Sequence, residues 1–360
     1  MTSLTIAILL TLLHPTVAVS QIPLDREQPD QTLEARTKTE IVEATVQRLE
    51  EYIFPEIAQQ IQADLQNRLR TGAYNNITSV KEFAETLTSQ IQAISHDKHL
   101  RVFYSYEPFP PTDRREPTPE EQEKFRRSTA WKNFGFYKVE RLEGNIGYLD
   151  LRGFLPPELA GEAAISAMNF LSNTDALVID LRQNGGGSPN MVALLSSYLF
   201  DDQPVHLNDL HWRERNDDGT FQVRVEQHWT LPYVPGKRYL DKPVYLLTSS
   251  FTFSAAEEFT NNLKQLKRAT IIGETTGGGA NPGRLQPLNE NFGLFVPTGR
   301  AVNPITQTNW EGTGVEPDTK VTSDQAFDVA YLAALKGVLA QTTEPEFVEE
   351  LRSAIAKIEK

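Results

Sequence analysis

Cysteine is absent from the 360 residues. That excludes disulfides, thiolate nucleophiles, Cys-ligated structural zinc and iron–sulfur clusters. It is compatible with an oxidising compartment without implying one. Positive charge is in deficit: 35 Lys and Arg stand against 48 Asp and Glu, a formal net charge of −13. Such a surplus repels a phosphate backbone, and the basic residues are scattered among acids, so no nucleic-acid partner is expected. Long apolar runs are missing beyond the N-terminus. Missing too are a Gly-Lys-Ser/Thr phosphate loop, a His-Glu-x-x-His zinc motif and a Gly-x-Ser-x-Gly elbow. Of six histidines, His96 and His99 are nearest in sequence, and no acidic partner set points at them. No metal and no cofactor are expected.

What remains is ordinary globular composition with length for about two domains, at roughly 100–200 residues each. Residues 4–13 form an apolar run of signal-peptide length, too short to span a bilayer, which takes ~20 residues. Small residues follow at cleavage-site offsets, predicting a signal peptide over 1–20 cut after Ala18 or Ser20. Its n-region carries no Lys or Arg; the alternative is a buried N-terminal helix. The prediction is export to the periplasm or cell exterior, with no stable membrane insertion after cleavage.

Ile41, Val42, Val46, Leu49, Tyr52 and Ile53 follow helical spacing, interrupted at Pro55. Ile57, Ile61, Leu65 and Leu69 continue it. Ser79-Val-Lys-Glu82 then reads as a capping box opening a third helix. These make a helical N-terminal cap, placed at 21–97. Residues 98–143 read as a linker and excursion, Pro-rich and charged over 107–121. From Gly144 the pattern changes. Buried-type strands at 146–151, 176–181, 244–247, 270–272 and 292–296 alternate with helices at 157–171, 189–200, 254–267 and 324–339. That indicates a layered α/β core with parallel pairing over 144–341, followed by a C-terminal helix at 342–360.

Two loops carry chemistry. Asp180-Leu-Arg-Gln-Asn-Gly-Gly-Gly187 follows a buried strand, and its glycines let backbone N–H groups face a concavity that holds a negative oxygen; a plain strand-to-helix turn is the alternative. Leu247-Thr-Ser-Ser-Phe-Thr-Phe-Ser-Ala-Ala-Glu257 puts Ser254 at a helix start, near the positive dipole end. Ser254-x-x-Glu257 is also a capping box, which by itself accounts for the serine. A serine nucleophile needs a base and a group to orient that base. His96 and His99 are candidate bases and Glu311 a candidate orienting carboxylate, but spacing does not assemble them.

Five strings in order resemble one family: Gly144-Asn-Ile-Gly-Tyr-Leu-Asp-Leu-Arg-Gly153, Asp180 to Gly187, Thr248 to Glu257, Ile272-Gly-Glu-Thr-Thr-Gly277 and Gly314-Val-Glu-Pro-Asp318. They are similar to the serine peptidases that include tail-specific (C-terminal-processing) peptidases and the tricorn core, in the interphotoreceptor retinoid-binding protein-like branch. The resemblance implies a crotonase/ClpP-like ββα core behind the helical cap, and a serine-type endopeptidase acting on peptides or proteins. It places Ser254 as nucleophile, Gly186, Gly187 and Ala255 as the oxyanion hole, His99 as base and Glu311 as its partner. Tail-specific peptidases carry a lysine base about 25 positions after the serine; that position here is Gly279. They also carry a PDZ domain, for which residues 100–144 are too short, so none is expected. Oligomeric rings of crotonase-like cores suggest a homo-oligomer by analogy. The alternative to catalysis is a carrier of an apolar ligand such as a retinoid or fatty acid, a role the retinoid-binding relatives illustrate.

Other features have plainer readings: Asp180 with Arg182 as a loop-positioning pair, Asn76-Ile-Thr78 as a formal glycosylation sequon, and the stretch with His206, His211, Trp212, His228 and Trp229 as a surface hairpin.

Overall fold

A computed structural model describes residues 29–109 and 118–359. The signal segment expected at 1–20 lies outside them. Three amphipathic helices come first: α1 (Ala35–Arg48), α2 (Pro55–Arg70) and α3 (Val80–Ser95). Pro55 begins α2, where its missing N–H costs nothing. The Ser79 side chain caps α3 by accepting the Glu82 N–H at 3.1 Å. Their apolar faces bury Ile41, Leu49, Ile61, Leu65, Phe83 and Leu87 completely.

The next stretch is more structured than its composition suggests. It holds β1 (Arg101–Tyr104), α4 (Pro119–Ala130) and β2 (Phe136–Leu142). Helix α4 buries none of its residues, and its start is fixed locally: Thr118 and Glu121 form a reciprocal capping box with Pro119 as the first helical residue. That signal stands in the sequence; the absence of an apolar stripe hid the helix behind it.

The core follows as β3 (Ile146–Leu151), α5 (Pro157–Leu171), β4 (Ala176–Asp180), α6 (Pro189–Ser197), the hairpin β5 (His206–Arg215) and β6 (Phe221–Trp229), then β7 (Val244–Thr248), α7 (Ala255–Gln265) and β8 (Thr270–Gly273). After these come β9 (Gly283–Pro287), β10 (Phe292–Pro297), β11 (Gly299–Val302), β12 (Thr319–Lys320), α8 (Ala326–Leu339) and α9 (Pro345–Ile358). A six-stranded sheet runs β12-β8-β7-β4-β3-β2, parallel except for the antiparallel edge strand β2.

Alternation along each strand sorts the core into two layers. Leu149, Leu151, Leu177, Ile179, Leu246 and Ile271 face α5, α6 and α7. Their neighbours Tyr148, Val178, Leu247 and Ile272 face α8 and α9. Truncating one such fully buried leucine to alanine costs about 2–5 kcal/mol. The chain is thus a mixed α/β protein, a helix–sheet–helix sandwich with a helical N-terminal layer.

One strand behaves differently from the sequence pattern. Residues 292–296 form β10, but β10 pairs with β1 and β9 in a separate three-stranded sheet. Phe292, Leu294 and Val296 complete the apolar core under α1–α3. The N-terminal helices therefore rest on β1, which follows them directly, and on β10, from late in the core sequence. Among the described residues no helix is long and apolar enough to cross a membrane.

Candidate active site

Strands β4 and β7 are parallel neighbours, with Asp180 opposite Leu247. The loops leaving their carboxyl ends therefore emerge side by side, the usual position of a site in an open α/β sheet. Asp180 and Arg182 pair at 2.6 Å and anchor the first loop. Cross-loop bonds lock the two loops together: Thr252 Oγ1 donates to the Leu181 carbonyl, Ser249 Oγ to that of Arg182, and the Phe253 N–H to that of Asn184.

Ser254 closes this junction at the head of α7 with φ +55° and ψ −123°. A non-glycine residue there carries backbone strain of the kind that surrounding structure must hold in place. Glu257, fully buried, supplies part of that hold by accepting the Ser254 N–H at 3.0 Å as half of the capping box. The same carboxylate accepts from Thr276 Oγ1 and from the N–H groups of Gly278 and Gly279. Burial nonetheless raises its pKa.

The glycine loop packs directly on the serine. A Cβ built on Gly186 would lie 2.7 Å from Cβ of Ser254 and 2.9 Å from the Ala255 nitrogen, and its φ is +105°. Only glycine fits there. The Gly186 amide is itself engaged, however. Its N–H is already donated to Oδ1 of the buried Asn184 at 2.9 Å. Gly187 bridges Phe154 through the Gly186 carbonyl and the Ser188 N–H, which leaves its own N–H out of the bridge. Ala255 is the first residue of α7, where an N–H has no helical partner. Among the described residues neither the Gly187 nor the Ala255 amide donates a hydrogen bond.

His99 arrives from the turn after α3. His96 ends that helix as its exposed, left-handed C-cap. Asp97 then accepts the backbone N–H of His99 on Oδ1 at 2.9 Å. The imidazole lies on Phe253, the residue before Ser254, with ring centroids 4.5 Å apart, and on Phe295 at 5.7 Å. Its Nδ1 has no hydrogen-bond partner. Desolvation, aided by the Arg101 charge, lowers its pKa to about 4 and keeps it neutral.

Glu311 comes from the loop between β11 and β12. Oε2 accepts the Ala280 N–H at 2.6 Å, while Oε1 is buried without a partner. Burial first, then the nearby Asp97 charge, push its pKa up to about 8. Asp97, His99 and Glu311 each bring an atom within 4.8 Å of the others. Tertiary contacts therefore bring His99 and Glu311 together beside the turn that carries Ser254, and add Asp97, which motif spacing did not single out.

Comparison with known proteins agrees with this architecture. Residues 145–321 match peptidase family S41, and residues 31–130 match the N-terminal domain of Peptidase_S41 in eukaryotic IRBP. The chain belongs to peptidase family S41.

It is 30% identical over 186 residues to the carboxy-terminal-processing protease of Bartonella bacilliformis, covering 50% of this chain and 40% of that one. It is also 30% identical over 178 residues to the chloroplastic carboxyl-terminal-processing peptidase 2 of Arabidopsis thaliana, covering 48% and 31%. The chain thus spans well under half the length of either relative. A solved structure from Parabacteroides merdae described as a peptidase superposes with a TM-score of 0.55 at 18% identity, over 85% of this chain and 98% of that one. That likeness concerns the fold.

Proposed function

We propose that this chain is a serine-type peptidase in which His99 deprotonates Ser254, Glu311 orients the imidazole, and the amides of Gly187 and Ala255 hold the oxyanion. The observation that carries the reading is Ser254 itself, held at φ +55° between a close-packed glycine loop and the start of α7. Strain of this kind collects at reacting groups.

In the reaction, Ser254 Oγ attacks the scissile carbonyl carbon as His99 takes its proton. The carbonyl oxygen becomes negative and accepts from the two free amides. His99 then returns the proton to the leaving amine, and water repeats the sequence on the acyl-enzyme. One oxyanion donor is worth ~10²–10³ in rate. The neutral, desolvated imidazole is in the form a base requires. Its resting contact is with the Phe253 ring, and the hydrogen bond from Ser254 is one that forms with substrate in place, as catalytic hydrogen bonds tighten in the Michaelis complex.

The substrate is then a peptide or protein, and residues 1–20 are read as the export signal of a periplasmic or extracellular enzyme. Two surface clefts, one lined by Asn261, Lys264 and Gln265 among others and the other by Lys264, Lys267 and Arg268 among others, are polar, unlike the apolar pocket a retinoid requires.

Ser254→Ala tests the proposal. The variant should fold as the parent does, lose peptide hydrolysis and lose covalent labelling by a fluorophosphonate probe. Unchanged turnover would remove Ser254 from the mechanism; retinol binding by an unlabelled parent would favour the carrier.

A further inference from the structure

Asp97 has no part in the mechanism above, yet it is 1% exposed and held on both oxygens. Oδ2 accepts from the Tyr52 hydroxyl at 3.0 Å and from Nδ2 of Asn281 at 2.9 Å, while Oδ1 accepts the His99 N–H. It is thus aimed, by residues from the N-terminal helices and from the segment before β9, at the imidazole and carboxylate it approaches within 4.8 Å. Among the described residues neither Asp97 nor Glu311 takes part in an ion pair. In these same residues Nδ1 of His99 and Oε1 of Glu311 are buried without a hydrogen-bond partner. A buried polar atom left unpaired is costly, because its lost hydration is not replaced.

One imidazole and two carboxylates form a donor set for a divalent transition metal. We propose that Asp97, His99 and Glu311 constitute an inhibitory site for a divalent cation of the zinc class. The cation would partner both unpaired atoms and neutralise the buried carboxylates. Zinc bonds of ~2.0–2.2 Å draw ligand atoms to roughly 3.5 Å apart, so side-chain rotation of about an ångström closes the set. Calcium and magnesium fit poorly, since they take six or more oxygens and no imidazole. Tyr52, Asn281 and the Ala280 amide would act as the outer partners that orient the ligands. Inhibition follows because an imidazole bound to a cation cannot take the serine proton; this part rests on His99 being the base.

The experiment uses the full chain carrying Ser254→Ala, which removes the reacting hydroxyl and keeps all three ligands. Zinc chloride titrated against it by calorimetry, with a chromophoric chelator in competition, should bind at one equivalent. Adding Glu311→Gln should weaken binding at least 10-fold, as should Asp97→Asn in a chain shown folded by circular dichroism. No saturable equivalent, or equal affinity in both ligand variants, overturns the site. In the parent, zinc should stop peptide hydrolysis and a chelator restore it. Hydrolysis that persists at saturating zinc overturns the inhibitory role while leaving the peptidase reading intact. Stoichiometric zinc binding by a parent that hydrolyses no peptide overturns the peptidase reading and leaves the metal site standing.

Discussion

Position 279 and the imidazole of His99 compete for one volume. A Cβ built on Gly279 would lie 2.7 Å from Cε1 of His99 and 2.2 Å from Cζ of Phe253. A lysine at this position, as tail-specific peptidases carry it, would exclude the histidine, and the histidine requires the glycine. Gly279→Lys should not produce a serine–lysine dyad. It should displace Phe253 and His99, abolish hydrolysis and destabilise the fold by ~1–3 kcal/mol, as overpacking does. Peptide turnover and thermal denaturation measure this; an active variant would mean that His99 is not the base.

The glycine loop yields a second expectation. A methyl group at Gly186 meets Cβ of Ser254, the Phe253 carbonyl and the Ala255 nitrogen at 2.7–2.9 Å, at a φ of +105°. Gly186→Ala should misplace the Gly187 and Ala255 amides even though the Gly186 N–H is itself occupied by Asn184. The expected loss is ~10²–10³ in kcat with a smaller change in KM, the signature of transition-state stabilisation. Steady-state kinetics on a fluorogenic peptide separate the two; a change confined to KM would mean that the loop binds substrate only.

Glu311 links activity to stability in opposite senses. Its pKa rises from 4.5 to about 8 on folding, so its contribution to stability is full below pH 4.5 and is lost as pH climbs through 8. His99 behaves inversely: lowered from 6.5 to about 4, its contribution is present above pH 6.5 and lost as pH falls toward 4. Glu311→Gln should therefore raise Tm relative to the parent increasingly between pH 4.5 and 8, with no gain at the acid end. Above pH 8, where the parent carboxyl is ionised, the same variant should lose up to ~10⁴ in kcat, as when a triad carboxylate is neutralised, and the loss should shrink at lower pH. A Tm difference independent of pH would show that Glu311 is not the buried ionising group.

The layered core was readable because period-2 and helical patterns report burial directly: the edges of β3 and α5 fall where the apolar residues start and stop. Helix α4 was missed because it buries nothing, though Thr118 and Glu121 announce its start. The pairing of β10 with β1 was not readable, since the pattern of 292–296 says only that the strand is buried, not by what. The same limit applied to the site. Ser254 and the glycine loop sit in local motifs, but Asp97 and His99, neighbours in sequence, meet Glu311 only through tertiary contacts, and Asn184 claims the Gly186 amide by a bond no spacing announces.

Glu257 shows how much one residue can carry beyond its local motif. Sequence assigns it a capping role at α7, and the capping bond to the Ser254 N–H is present. Yet the same carboxylate also gathers Thr276 Oγ1 and the amides of Gly278 and Gly279, which fixes the segment facing His99. Glu257→Ala would leave these donors buried and unpaired, at about 1–3 kcal/mol each. That sum rivals the whole stability of a domain, about 5–15 kcal/mol, so the variant should be poorly folded. Glu257→Gln keeps one acceptor oxygen and the shape of the side chain but turns an NH₂ toward other donors. It should fold with a lowered Tm and lose most activity, because Ser254 and Gly279 lose their common anchor. Hydrogen exchange should localise the loosening to residues 254 and 276–279. Protection unchanged at those amides would mean that Glu257 is only a helix cap.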